Sequence, residues 1–301
     1  MFFVNDYKNN EILNELKTRV VEIDGVKNVR DIGGILSKDE KFILRKNLLY
    51  RSSLVTGITK KGEEQLHSKN IKYIIDLRNS GEFLKDGIKN IPNTIRMVEP
   101  GFGMNVLNDK IQIPLRPNGK PWGSLDVGYA RLYAFILDEG RNSFKNIFKH
   151  IIKSYDEGNS ILIHCTSGKD RTGIVSMLIQ LLANIDDMHI AFDYYLTEVL
   201  QPPTVEYMKK ARPPHKAFDN LSDNELVTLA RSIPETMLLT IDILRRQYKN
   251  VEGYLLSIGL TYDEINRLKE ILMVPNNNNK QRQLQQEKTS HNKRNNTSSK
   301  L

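Results

Sequence analysis

The chain has 301 residues, 39% of them hydrophobic, a formal net charge of +8 and a single cysteine. That length and apolar content fit one folded domain rather than a disordered chain, and one cysteine excludes an intrachain disulfide. No run approaches the roughly 20 apolar residues of a membrane span, and Met1-Phe2-Phe3-Val4 meets Asn5-Asp6-Tyr7-Lys8 too soon for a signal-peptide core, so a soluble, cytoplasmic protein is expected.

Three segments are expected: an N-terminal extension over 1–23, one globular domain over 24–275, and a disordered basic tail over 276–301. Between 276 and 301, six Lys or Arg stand against one Glu, so most of the excess positive charge is in the tail. Such a tail reads as a solvated appendage, and no nucleic-acid partner is expected. There is no internal repeat.

In chain order, Arg30-Asp31 with Gly33-Gly34 reads as a turn. Ile71 to Leu77 is β-branched and apolar, the pattern of a buried strand ending in polar residues. Apolar residues at 132, 135, 136, 144, 147, 148, 151 and 152 keep helical spacing, interrupted around Gly140. Ser160 to His164 is a second buried strand, and Gly173 to Leu182, apolar nearly all round, is a buried helix. Pro202-Pro203 and Pro213-Pro214 mark breaks, with a segment before Glu235 able to cover a site. Leu238 to Tyr248 and Tyr262 to Met273 read as amphipathic helices, with Thr261 and Glu264 as a capping box.

Between the second strand and its helix stands His164-Cys165-Thr166-Ser167-Gly168-Lys169-Asp170-Arg171-Thr172. A short loop wrapping toward a helix N-terminus aims successive N–H groups inward, and with the helix dipole they favour a phosphate dianion. Such a field also favours a thiolate, the reactive form of cysteine, so Cys165 can attack phosphorus. Arg171, six residues on, can grip two phosphate oxygens with its planar fork. Gly168 suits a dihedral that other residues avoid, and Thr172 can donate its hydroxyl to the sulfur. Taken singly, Cys165 and His164 read as core residues. Taken together, a core has no use for consecutive Lys, Asp and Arg beside a buried strand and helix.

At these residues the chain resembles the cysteine-dependent tyrosine phosphatases, whose signature is His-Cys, five residues, then Arg and Ser or Thr. The version Gly168-Lys169-Asp170-Arg171 is similar to the atypical branch that includes bacterial secreted tyrosine and phosphoinositide phosphatases. Asn28 to Gly34, Leu49 to Leu54, Asp76-Leu77-Arg78 with Glu82, and Asp193 to Thr197 agree with that branch, so the resemblance spans about 24 to 273. It implies an α/β cysteine-phosphatase fold with a central, mostly parallel sheet flanked by helices and a helical C-terminal part. It also implies a phosphocysteine intermediate, with no metal and no cofactor.

A leaving group needs a proton, which the branch draws from the loop aspartate, here Asp170; Asp126 is the alternative donor on a separate loop. Thr166, Ser167, Gly168, Lys169 and Thr172 are expected to bind substrate, and His164, Asp76 and Arg78 to support the site. The expected substrate is a phosphotyrosine protein, with a phosphoinositide as the alternative and a phosphate-binding module without turnover as a third reading. The terminal Ser299-Lys300-Leu301 matches a peroxisomal address for an import receptor, and equally an accidental end to a Ser- and Lys-rich tail.

Overall fold

The computed structural model describes residues 14, 18–99, 125–206, 209 and 222–277. A five-stranded sheet lies at its centre, built from β1 (Arg30–Asp31), β3 (Leu49–Ser52), β6 (Ser160–His164), β4 (Ile71–Asp76) and β5 (Ile95–Val98), in that spatial order. β3, β6, β4 and β5 run parallel, and only the edge strand β1 is antiparallel to its neighbour. A separate antiparallel pair joins β2 (Phe42–Leu44) to β7 (Met273–Pro275).

Strand alternation gives the sheet two apolar faces. Ile161 and Ile163 point into the larger core, and Leu162 between them points into a smaller core with Tyr50, Ile74 and Leu66. The smaller core is covered by α1 (Lys60–Ser68), which starts where the Thr59 side chain accepts from the Gly62 amide. The larger face carries α3 (Leu125–Glu139), α4 (Arg141–Asp156) and α5 (Asp170–Leu182). With them stand α6 (Asp187–Leu200), α8 (Pro234–Tyr248), α9 (Val251–Ser257) and α10 (Tyr262–Leu272). Phe144, Ile147, Phe148 and Ile151 make one buried stripe on α4, each side chain stabilising the fold by roughly 1.5–3 kcal/mol through burial. The remaining helices are α2 (Ser80–Asp86) and α7 (Asp223–Ala230).

The interruption at Gly140 is real and divides α3 from α4. The Thr261–Glu264 capping box forms. α8 starts four residues ahead of its apolar pattern because Pro234, with its preset φ, occupies the first helical turn. Arg30 differs from expectation: it lies on an edge strand and sends its side chain across to α6. The turn is held by Asp31, whose carboxylate accepts from the amides of Gly33 and Asn47, both at 2.7 Å.

Chain ahead of residue 24 is also packed. Arg19 is buried against Asp193 and the Val21 amide donates to the Val29 carbonyl, because three buried cations converge on one carboxylate and one of them comes from this segment. The expected tail lies outside the described residues apart from Asn276 and Asn277, as do Ser299-Lys300-Leu301, Trp122 to Ser124 and most of 207–221.

β6 is the middle strand, and its last residue, His164, lies in register with Ser52 of β3 and Asp76 of β4. The loop that follows therefore emerges at the carboxyl ends of three parallel strands, where open α/β sheets form their crevices.

Candidate functional site

The loop from Cys165 to Lys169 runs from β6 into α5, whose first residue is Asp170. Gly168 adopts φ +69°, and a Cβ there would stand 2.3 Å from the Ser52 carbonyl oxygen. Both the dihedral and the close approach demand glycine. The neighbouring strand end also fixes the loop, with the Leu54 amide donating to the Thr166 carbonyl at 3.0 Å. The amides of Thr166, Ser167 and Gly168, and the first-turn amides of Asp170 and Arg171, donate to no carbonyl among the described residues. Together with the N-terminal pole of α5, they can receive a tetrahedral anion above the buried Cys165 thiol.

Arg171 is held in place by the other side of the crevice. Its Nη1 donates to the Leu77 carbonyl at 2.9 Å and to Glu82 Oε2 at 2.7 Å, and its Nη2 to Glu82 Oε1 at 2.6 Å. A guanidinium has five N–H donors, so Nε–H and one Nη2 hydrogen remain for a ligand. Glu82 also accepts from the Thr166 hydroxyl at 2.5 Å and from the Asn79 amide at 2.9 Å, closing the capping box of α2. Burial would raise the Glu82 pKa, but the Arg171 hydrogen bonds and charge, with Thr166, outweigh it and hold the carboxyl below its usual range.

Beneath the loop lies a second charge cluster. Asp193 on α6 receives Arg19 at 2.5 Å, Arg30 at 3.1 Å and Arg51 at 2.5 Å, and all four side chains are at most 2% exposed. Burial opposes ionisation of Asp193, yet the three arginines outweigh it and push its pKa far down. Burial and the adjacent Arg51 lower the Arg30 pKa to about 9, which leaves it charged at neutral pH. Three guanidiniums thus converge on one carboxylate close to the loop. Arg51 Nη2 also donates to the Gly168 carbonyl at 2.8 Å, and the Asn28 side-chain amide to the Ser167 carbonyl at 3.2 Å, so two carbonyls of the loop are occupied by donors from the chain itself.

Asp76 and Arg78 form a buried ion pair at 2.8 Å at the end of β4, joined by Arg96 at 3.0 Å. His164 Nδ1 donates to the Cys165 carbonyl at 3.0 Å, and its Nε2 lies 3.6 Å from Asp76. Burial, more than the arginines, lowers the His164 pKa against the pull of Asp76. The Thr172 hydroxyl is buried, with no hydrogen-bond partner among the described residues.

Lys169 is not an unengaged pocket cation. Its ammonium lies 3.4 Å from Asp170 Oδ1, donates to the Arg231 carbonyl at 3.2 Å and sits 4.5 Å from the Tyr129 ring centroid. Asp126 lies in the first turn of α3, seven residues before Tyr133 and so about 10 Å further along the helix axis. Among the described residues, no group of three or more His, Cys, Asp or Glu could hold a metal ion, and no helix is long and apolar enough to cross a membrane.

Glu82, Arg51, Asn28, Tyr133 and the hub role of Asp193 are not assigned from sequence. Asn79 and Glu82 do carry a readable capping-box spacing straight after a strand. Arg51 and Asp193 are 142 positions apart, and no local pattern joins them.

A buried thiol at the mouth of a parallel strand, a clamped arginine and a helix N-terminus define a phosphate-handling enzyme of the α/β class. The chain belongs to the tyrosine phosphatase family, whose model matches residues 21–274. Its sequence is 25% identical to the triple specificity protein phosphatase PtpB of Mycobacterium tuberculosis over 296 residues, 84% of this chain and 99% of that protein. It is 30% identical to a tyrosine-protein phosphatase of Nostoc commune over 141 residues, 46% of each. The likeness to the crystal structure of P. aeruginosa TpbA is slight, with a TM-score of 0.29 and 10% identity over 76% of this chain and 96% of that one.

Proposed function

We propose that this phosphatase hydrolyses phosphomonoesters through a phosphocysteine intermediate on Cys165, without a metal, and that protein phosphotyrosine is its substrate class. The observation that carries the reading is the Arg171 clamp. Glu82 and Leu77 take three of its donors and leave two for a ligand, six residues after Cys165 and beside a loop whose amides donate to no carbonyl among the described residues. Arg171 would bind two phosphate oxygens in the trigonal-bipyramidal transition state while the thiolate forms the S–P bond and the P–O bond to the leaving group breaks. Asp170, the loop aspartate of the Gly-Lys-Asp-Arg variety, would give that oxygen its proton, and would then take one from the water that hydrolyses the phosphocysteine.

Cys165→Ser is expected to abolish turnover of an aryl phosphate, and Arg171→Lys to reduce kcat/KM by about a hundredfold or more, since an ammonium cannot reproduce the fork. A chelator should leave the rate unchanged. Full activity of Cys165→Ser would overturn the reading. A panel of phosphotyrosine peptides and phosphoinositides tests the substrate class: lipid turnover at least about tenfold faster, or 1.4 kcal/mol, would replace phosphotyrosine by phosphoinositide. The engagement of Lys169 with Asp170, Tyr129 and Arg231 supports the peptide reading, because it leaves that ammonium little freedom to meet a headgroup.

A further inference from the structure

We propose that Tyr133 is the positioning residue of the proton donor: it fixes Asp170 through one carboxyl oxygen, so that the other oxygen carries the proton to the leaving group. This rests on the phosphatase reading and on Asp170 as its acid.

The observation is a relay of buried hydroxyls ending on the loop. The Tyr133 hydroxyl donates to Asp170 Oδ1 at 2.6 Å and lies 2.7 Å from the Tyr194 hydroxyl. Tyr133 has one hydrogen to give, and Asp170 takes it, so Tyr194 is the donor to Tyr133. Tyr133 is 0% exposed and Tyr194 1%, and burial above all keeps the Tyr133 phenol protonated far above its usual range. The Lys169 ammonium approaches the same Oδ1 at 3.4 Å. Oδ2 accepts from no described residue, and the Asp170 side chain keeps 25% exposure.

The division of labour between the two oxygens follows from proton accounting. As the P–O bond breaks, the electron pair stays on the departing oxygen, which takes the proton from Oδ2. Asp170 becomes a carboxylate, and its new charge is met by the Tyr133 hydroxyl and the Lys169 ammonium already pointing at Oδ1. In the second half-reaction Oδ2 accepts a proton from the attacking water, restoring the acid. Without Tyr133, the carboxyl can rotate about its Cβ–Cγ bond and present either oxygen to either partner.

Three helices fix this arrangement. Tyr129 and Tyr133 are four residues apart on one face of α3, Tyr194 comes from α6, and the Arg231 carbonyl that holds Lys169 follows α7. The Tyr129 hydroxyl donates to the Leu229 carbonyl at 2.6 Å, tying the end of α7 to the same face.

The experiment compares wild type, Tyr133→Phe, Asp170→Asn and the double variant on aryl phosphates of graded leaving-group pKa, with Cys165→Ser as the blank. Tyr133→Phe should lower kcat about tenfold for poor leaving groups, leave the best one within about twofold, and have no further effect in the Asp170→Asn background. Tyr194→Phe, which leaves the Tyr133 donor in place, should show the same pattern more weakly and guards against a folding artefact. Equal losses across all leaving groups in Tyr133→Phe, or losses that persist undiminished in Asp170→Asn, would overturn the role of Tyr133 while the phosphatase reading stands. Activity in Cys165→Ser, or an Asp170→Asn loss indifferent to leaving group, would overturn the inference together with the reading beneath it.

Discussion

Glu82 holds Arg171 with both carboxylate oxygens, at 2.6 and 2.7 Å, while the same carboxylate caps helix α2 through the Asn79 amide. The arginine's orientation therefore depends on a helix cap, and the helix start depends on the arginine. Replacing Glu82 by Gln removes the charge but not the shape. A pair buried to this degree costs about 3–5 kcal/mol when one partner is removed, and the amide retains part of the hydrogen bonding. Glu82→Gln is expected to lower kcat/KM at least about tenfold and to lower the thermal midpoint, read by steady-state kinetics and calorimetry on one preparation.

Gly168→Ala should separate loop geometry from chemistry. The added Cβ would stand 2.3 Å from the Ser52 carbonyl oxygen at φ +69°, so either the loop or the end of β3 must shift. Weaker competitive inhibition by inorganic phosphate is expected, with kcat/KM reduced about tenfold or more. Unchanged phosphate affinity would mean that the amides remain in place despite the shift.

The Asp193 hub predicts an acid-sensitive fold. The folded-state pKa of Asp193 is depressed, so its contribution is fully present above the ordinary Asp value near about 4 and is lost as pH falls below it toward the folded value. Glu82 and Asp76 are depressed as well and act in the same direction. Asp193→Asn should destabilise the protein by about 3–5 kcal/mol at neutral pH, because three buried guanidiniums lose the carboxylate they share. It should also flatten the dependence of stability on pH below about 4. Denaturant titrations at several pH values measure both effects.

The Thr172 hydroxyl, buried and with no partner among the described residues, predicts a change of rate-limiting step. If it donates to the departing sulfur, Thr172→Val slows hydrolysis of the phosphocysteine more than its formation. Rapid mixing should then reveal a burst of released phenol absent from the wild type, with steady-state kcat down about tenfold.

How much of this was legible in the sequence follows from the range of the forces involved. Strand β6, helix α5 and the loop between them could be read because hydrophobic periodicity and a glycine at a fixed offset are local signals. The break at Gly140 and the Thr261–Glu264 cap are equally local. The same local reading gave Arg30 to a turn, because nothing within a few residues of Arg19 or Arg30 discloses that both reach Asp193 more than 160 positions away.

The sequence by itself determined the candidate groups: one thiol, one arginine six residues on and a glycine between them, at spacings that a strand, a tight loop and a helix can serve. Tertiary structure alone decided what holds those groups. It brought Glu82 to Arg171, Arg51 to the Gly168 carbonyl, and Tyr133 to Asp170. It also drew Lys169 toward Tyr129 and Arg231. The physical reason is that a buried charge is tolerated only where partners converge on it, and that convergence is set by which helix packs over which strand end.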